Sequence, residues 1–259
     1  MSIEPLYRNY YNVVTNTIES VKNSGCFDSF KANSSYQQIL EHVTIEIGCN
    51  LLQQSRIEFQ LTDEEMNRFI IENDRIGNPT KKIVPGWNLS EVSPSCFRYI
   101  YHSCIILQHI LKLNITEIDI VEIGGGYGGL CLALSLYAHK FGITISKYHF
   151  IDLPNITKLQ KLYMEQYNPS FTIDTHYADT FGKNIQKSEK PLYLISCYAL
   201  TEIDKSFQNN YFTTLLPKID HGFIINNGGY SNPPNNFNKE VLIEKERPID
   251  TFNNTFWYF

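Results

Sequence analysis

The stretch Ile120-Val121-Glu122-Ile123-Gly124-Gly125-Gly126-Tyr127-Gly128-Gly129 constrains this chain more than any other. An apolar run (Ile118, Ile120, Val121, Ile123) predicts a buried strand that stops at glycine, and Leu130 to Phe141 carries apolar residues at helical spacing. Five glycines in six positions are costly in backbone entropy. A strand, glycine turn and helix in succession let the backbone approach a ligand closely, because each missing Cβ removes a clash and permits positive φ. The helix that follows turns unpaired amides towards the same place. A glycine turn with no ligand is the competing reading.

Two nucleotide-like cofactors use such a turn. Gly124-x-Gly126-x-x-Gly129 matches the dinucleotide fingerprint in form. Glu122-x-Gly124-x-Gly126-x-Gly128 matches the pattern of S-adenosylmethionine (SAM) methyltransferases. Glu122 favours the second: at the end of the strand it is placed to face the cationic methionine end of SAM, directly or through water, and it would repel a pyrophosphate. Tyr127 lies inside the same turn.

The 259 residues suffice for one large domain or for a domain with a sizeable attachment. A net charge of -5 without a Lys/Arg block argues against a nucleic-acid surface. The six cysteines are scattered with no CxxC, which predicts free thiols in a reducing compartment rather than disulfides or zinc ligands. No apolar stretch approaches membrane-spanning length, and the first residues lack a basic-then-apolar leader. The expectation is a soluble, cytoplasmic protein.

Residues 1–112 read as a helical region, either a lid over an acceptor site or a contact between copies in a homo-oligomer. Tyr7, Tyr10, Tyr11, Val14 and Ile18 recur at helical spacing, and Thr62 before Asp63-Glu64-Glu65 reads as an N-cap. Residues 73–79 read as a turn-rich linker, followed by a loop carrying Trp87 that is placed to border a pocket. Ser93 or Ser95 is expected to cap a helix from Phe97 to Leu111, on which Arg98 and His102 share a face. Arg98 is either a solvated edge or an anion or substrate contact.

From residue 113 to 259 strands and helices alternate. A strand from Ile145 to Ile151 ends at Asp152, about two dozen residues past the glycine turn, where an acid meets a ribose diol in doubly wound nucleotide folds. Both candidate cofactors carry that diol. A helix from Pro154, a strand from Phe171 to Tyr177, and Asp179, suited to an adenine amino group, follow. The strand Leu192 to Cys197 carries Tyr198 and Glu202 just past its carboxyl end, where ligands gather in open α/β sheets. A helix from Phe207 to Leu216 stopped by Pro217, a strand to Asn226, and two closing strands, Val241 to Ile243 and Thr255 to Phe259, complete the chain. The pattern predicts a Rossmann-like α/β fold with a seven-stranded, mostly parallel sheet and an N-terminal helical extension.

From about Asn73 onward the chain resembles the sugar O-methyltransferases, a branch of the class I SAM-dependent methyltransferases. The pieces are Asn73-Asp74-Arg75-Ile76-Gly77-Asn78-Pro79, Ser93-Pro94-Ser95-x-x-Arg98-Tyr99, the glycine turn, Ile151-Asp152-Leu153-Pro154 and Leu159-Gln160-x-x-Tyr163. Ile195-Ser196-x-Tyr198-Ala199-x-x-Glu202, Gly222 to Asn226, and Glu246-x-Pro248 with Asn254 and Trp257 follow in order. One departure is Cys197-Tyr198-Ala199-Leu200-Thr201-Glu202, where the family form after Ser196 is Asn-Tyr-Ala-Phe-Ser-Glu.

The resemblance implies a class I fold, SAM as methyl donor with S-adenosylhomocysteine as product, and a sugar hydroxyl, nucleotide-linked or glycan-linked, as acceptor in glycan biosynthesis. Cofactor contacts are expected from Glu122, Gly124, Gly126, Tyr127, Gly128, Asp152, Leu153, Asp179 and Ser196. Acceptor contacts are expected from Arg98, Tyr99, Trp87 and Asn226. Glu202 is the first candidate for general base, His176 the second, with Tyr198 orienting the acceptor. No carboxylate cluster marks a magnesium site, and metal dependence stays open. A SAM methyltransferase of another small molecule or of protein, and a non-catalytic partner subunit, are the alternatives.

Overall fold

The computed structural model describes residues 5–89, 91–248 and 253–259. Helices α1 (Pro5–Ser24), α2 (Ser34–Gln37), α3 (Ile45–Phe59), α4 (Asp63–Arg75) and α5 (Ser95–Lys112) precede the first strand. Then come β1 (Glu117–Ile123), α6 (Gly129–Tyr137), β2 (Thr144–Asp152), α7 (Pro154–Glu165), β3 (Thr172–Tyr177) and β4 (Leu192–Cys197). Helix α8 (Lys205–Thr214), β5 (His221–Asn226), β6 (Leu242–Lys245) and β7 (Thr255–Tyr258) close the chain.

The seven strands form one sheet in the order β3-β2-β1-β4-β5-β7-β6. The first five are parallel; β7 runs antiparallel to β5 and to β6. This is the mostly parallel seven-stranded sheet expected from the alternation of elements. Strand order reverses between β1 and β4, so the crevice outside their carboxyl ends is the topological switch point, where open α/β sheets bind ligands.

Alternation along β1 sends Ile118 and Ile120 to one face and Val121 and Ile123 to the other, and each face has its own core. The first core runs without a break from Val14 and Tyr36 through Phe97 and Ile106 to Leu130, Tyr148 and Tyr163. The helical region before residue 113 is therefore packed into the sheet's own core. The second core joins Leu200, Phe212 and Leu215 to Ile224 and Trp257.

Several local expectations are met and others corrected. Thr62 caps α4 in a reciprocal capping box with Glu65. Residues 73 and 74, read as linker, belong to the last turn of α4 and are buried; only the segment beyond is loop. Neither Ser93 nor Ser95 caps α5, which starts behind Pro94, because Ser93 instead donates its hydroxyl to Glu41 and its amide to Asp74. Pro217 does not end α8 but sits inside a single 3-10 turn after it, where its missing amide is tolerated. The closing turn around Pro248 includes residues 249–252, which lie outside the described residues. All six cysteines are free; Cys96, Cys104 and Cys131 are buried and Cys26 is exposed.

Candidate functional site

Gly124, Gly126 and Gly128 all take positive φ, and Gly128 starts α6. Close approach explains the first three glycines one by one. A Cβ on Gly124 would strike Ala199, just past β4. One on Gly125 would lie 2.6 Å from the Glu122 carboxylate, and one on Gly126 2.9 Å from Leu40. The turn is thus wedged between the end of β4, the carboxylate beneath it and a leucine from the helical region. Ser196 fixes the β4 side: its hydroxyl donates to the Ile123 carbonyl at 3.1 Å and accepts from the Leu200 amide at 2.9 Å.

Glu122 is buried under Gly125 and accepts the Tyr148 hydroxyl at 2.8 Å. Burial pushes its carboxyl up to about 8. Asp152 is half-buried at the end of β2. It accepts the Leu153 amide at 2.8 Å and the Gln160 side-chain amide at 3.0 Å, and burial pushes it up to about 7. The same Gln160 nitrogen donates to the Gly126 carbonyl at 3.0 Å, tying α7 to the turn, while the Gln160 Oε1 is buried without a partner. Leu153 is exposed beside Asp152. Asp179 is exposed in the turn after β3; its charge and that of Asp152 both act on Tyr211, which donates to the Ala178 carbonyl at 3.1 Å. Asp152 and Asp179 therefore flank one stretch of the sheet's carboxyl edge.

Across the switch point, Tyr198 takes a positive φ and hydrogen-bonds Glu246, a buried acid that also accepts the Asn254 side-chain amide at 2.6 Å. The Arg98 guanidinium stacks over the Tyr198 ring at 5.5 Å. Four residues past Tyr198, the exposed Glu202 accepts the Tyr7 hydroxyl at 3.0 Å and the Asn227 side-chain amide. Partial burial raises the Glu202 carboxyl above its ordinary value, partly offset by Tyr7. Tyr198 and Glu202 thus stand on the turn that packs against Gly124.

The remaining candidates lie elsewhere. His176 faces His149 across the β2–β3 edge, the ring nitrogens 3.1 Å apart, and burial lowers its basicity. Trp87 packs edge-on against Phe97 with Arg56 over its ring. Asn226 is fully buried and spends its side chain on Tyr230 and Thr255, shaping the turn after β5. Tyr99 and Tyr127 meet edge to face at 5.7 Å, behind the glycine turn. There Tyr127 joins a buried network: Asn73 Oδ1 accepts the hydroxyls of Tyr127 and Tyr163, and Lys31 donates to the Asn73 carbonyl at 2.7 Å. Glu246 and Asn73 carry hydrogen-bonding roles that sequence reasoning did not assign, although both stand in the motifs that carry the family resemblance.

Helix α1 spans the mouth. Tyr7 reaches Glu202, Thr15 accepts from Asn155 at the start of α7 at 2.8 Å, and the buried Tyr10 between them is raised first by burial and then by the charge of Asp152. Two open cavities, of about 460 and 260 Å3, are lined by no residue of the glycine turn, one between residues 232 and 243 and one beside Asp28 and Phe30. Among the described residues no group of three or more His, Cys, Asp or Glu is arranged to hold a metal, and no helix is long and apolar enough to cross a membrane.

Strand order, switch point and glycine turn together define a Rossmann-like class I methyltransferase fold. No family model and no curated protein matches the chain. Among solved structures it is similar to the methyltransferase domain of bacterial CtHen1, at 12% identity over 61% of this chain and 96% of that one, with a TM-score of 0.46. A SAM-dependent methyltransferase from Aquifex aeolicus matches at 11% identity over 59% and 87%, TM-score 0.40. MtNAS in complex with MTA and tNA matches at 12% identity over 99% and 98%, TM-score 0.41. These likenesses are distant, and it is the strand order with its glycine turn that defines the class.

Proposed function

We propose that this chain is a SAM-dependent O-methyltransferase whose acceptor is a sugar hydroxyl. The observation that carries the reading is the pairing of the glycine turn with Asp152 at the carboxyl edge of the sheet, next to the switch point. The donor set fits the cofactor. The Asp152 carboxylate, held by the Leu153 amide, the Gln160 side chain and the Gly125 backbone, keeps acceptor capacity for a ribose hydroxyl. The exposed Asp179 suits an exocyclic amine, and the unpartnered Gln160 Oε1 adds an acceptor at the same place.

SAM, when bound, supplies a methyl group on a sulfonium. A sugar hydroxyl is a weak nucleophile at neutral pH, so a base within hydrogen-bond reach contributes about 10²–10⁴-fold. Glu202 suits that role, because it is exposed at the mouth and its raised carboxyl is a stronger base than an ordinary one. Glu202 would accept the proton of the acceptor hydroxyl, leaving its oxygen to receive the methyl group that the cofactor would supply. Tyr198 and Arg98 orient the acceptor, and α1 limits water at the mouth. Collinear positioning of the reacting atoms supplies the greater share of the acceleration. The sugar acceptor rests on the family resemblance, whose motif residues gather on both sides of the turn: Asn73, Tyr127 and Tyr163 behind it, Arg98, Tyr198 and Glu246 in front.

A second reading, a non-catalytic partner subunit of the same fold, draws on Leu40 packing over Gly126. Release of S-adenosylhomocysteine, measured with a panel of nucleotide-linked and free sugars with and without magnesium, separates the two. Turnover on a sugar supports the proposal. Cofactor binding with silence across the panel moves the acceptor to another small molecule or protein. Absence of both leaves the partner-subunit reading.

A further inference from the structure

Arg98 stands half-buried in the first turn of α5, and no carboxylate among the described residues comes within ion-pairing distance of it. A guanidinium keeps its charge in any protein environment, and a partly desolvated charge without a counter-charge is costly. Its surroundings do not neutralise it. The Tyr198 ring lies beneath it at 5.5 Å, and Nη1 meets His42 Nε2 at 3.2 Å. Because a guanidinium only donates, His42 Nε2 is the acceptor in that contact. His102, on the same helix, is pulled down to about 3, by burial first and then by Arg98. The nearby acid Glu246 is engaged with the Tyr198 hydroxyl and the Asn254 amide.

The position of Arg98 is as telling as its charge. Its neighbour Tyr99 packs on Tyr127 of the glycine turn, and Ala199, next to Tyr198, packs on Gly124. The Arg98–Tyr198 pair is therefore one residue removed, on both segments, from contact with the cofactor turn. His42 is exposed, so the cluster is open to solvent. Only Nη1 of the guanidinium is engaged in a hydrogen bond among the described residues, and its remaining N–H groups form the fork that matches a planar oxyanion.

We propose that Arg98, assisted by His42, binds an oxyanion of the acceptor, so that the substrate is an anionic sugar: one carrying a phosphate, as in a nucleotide-linked sugar, or a carboxylate, as in a sugar acid. This rests on the reading of the switch point as a methyltransferase site and specifies its substrate class. Tyr198 serves as the wall against which the guanidinium is held flat, and Glu246 with Asn254 fixes that wall.

The test titrates inorganic pyrophosphate, uridine diphosphate and glucuronate into the full chain, with and without saturating S-adenosylhomocysteine, and reads binding by ligand-observed NMR. At least one anion is expected to bind, with affinity roughly tenfold weaker in Arg98→Gln and less weakened in Arg98→Lys, which keeps the charge but not the fork. S-adenosylhomocysteine affinity stays unchanged in both variants and verifies their folding. Should Arg98→Gln fail to fold, His42→Gln, on an exposed side chain, carries the test with an expected loss of about threefold. Binding of pyrophosphate or uridine diphosphate without glucuronate assigns a phosphate, and the reverse assigns a carboxylate. If no anion binds the wild-type chain, or the variants bind as well as it does, the proposal falls. Arg98-dependent anion binding in a chain that ignores S-adenosylhomocysteine upholds the anion site while removing the methyltransferase reading.

Discussion

The side-chain carbonyl of Asn73 accepts the hydroxyl of Tyr127 at 3.0 Å, joining the last turn of α4 to the glycine turn across 54 residues of sequence. The same oxygen takes the Tyr163 hydroxyl at 2.9 Å, and the buried Lys31 donates to the Asn73 backbone carbonyl. The side-chain amide of Asn73 donates to Cys96 and Asp74. One asparagine thereby ties the helical region, α5, α7 and the cofactor turn together. Burial lowers the Lys31 ammonium, opposed by Glu41 and Asp74, so its hydrogen bonds are what keep it tolerable inside.

Asn73→Ala leaves two hydroxyls without an acceptor in a closed interior and is expected to cost about 2–4 kcal/mol. Tyr127→Phe removes a single donor and should cost about 1 kcal/mol. Urea midpoints measure both. Equal, small losses for the two would mean that Asn73 is not the junction.

Asp152→Ala is expected to weaken S-adenosylhomocysteine binding roughly tenfold or more, through loss of charge-assisted bonds to the ribose. Because burial raises Asp152 to about 7, the ionised acceptor is fully present only above that value. Wild-type affinity should therefore strengthen as pH rises through neutrality, and the variant should lose this dependence. Calorimetry at several pH values reads both effects; a variant that binds like the wild type removes Asp152 from the site.

Glu202→Gln keeps the shape at the mouth but cannot take a proton. Turnover is expected to fall by about 10²-fold or more while S-adenosylhomocysteine affinity holds. Surviving turnover would transfer the base to another group, with the hydrogen-bonded Tyr198–Glu246 pair the next to test.

Above about pH 6.5 the stability of the protein should fall as pH rises to about 8; below that, the buried His102, lowered to about 3, and His109 and His149, lowered to about 4, act in the opposite direction. Folded Glu122 keeps its proton up to about 8, whereas the unfolded chain releases it near 4.5, so between those values the folded state binds more protons. Within that window each pH unit costs at most about 1.4 kcal/mol. Asp152 acts in the same direction up to about 7. Glu122→Gln, which can still accept from Tyr148, should flatten the profile measured by denaturant midpoints, leaving the smaller slope of Asp152. An unchanged slope would place the titration elsewhere.

The sheet was legible because its strands are apolar runs that end at punctuating residues, Gly124 after β1, Asp152 at the end of β2 and Tyr198 after β4. Each depends on local pattern alone. The linker reading failed at residues 73 and 74 because Asn and Asp favour loops when solvated, and nothing local reveals that Tyr127, Tyr163, Lys31 and Cys96 would satisfy them inside a helix. Glu246 was hidden for the same reason: its partners Tyr198 and Asn254 meet it only once β6 and β7 are paired. Hydrogen bonds between residues dozens apart leave no period in a sequence, so the fold was readable and the bracing of its site was not.

The arrangement of α1 also bears on synthesis. Tyr7 and Glu202 are 195 residues apart, and Thr15 and Asn155 are 140 apart. Helix α1 is thus made well before its partners across the mouth, since α7 and the segment after β4 must emerge before it can seat. Until then part of its apolar stripe, Tyr10, Val14 and Ile18, waits without its cover. Slow translation between residues 25 and 202 would prolong that exposure, the condition under which incomplete chains aggregate.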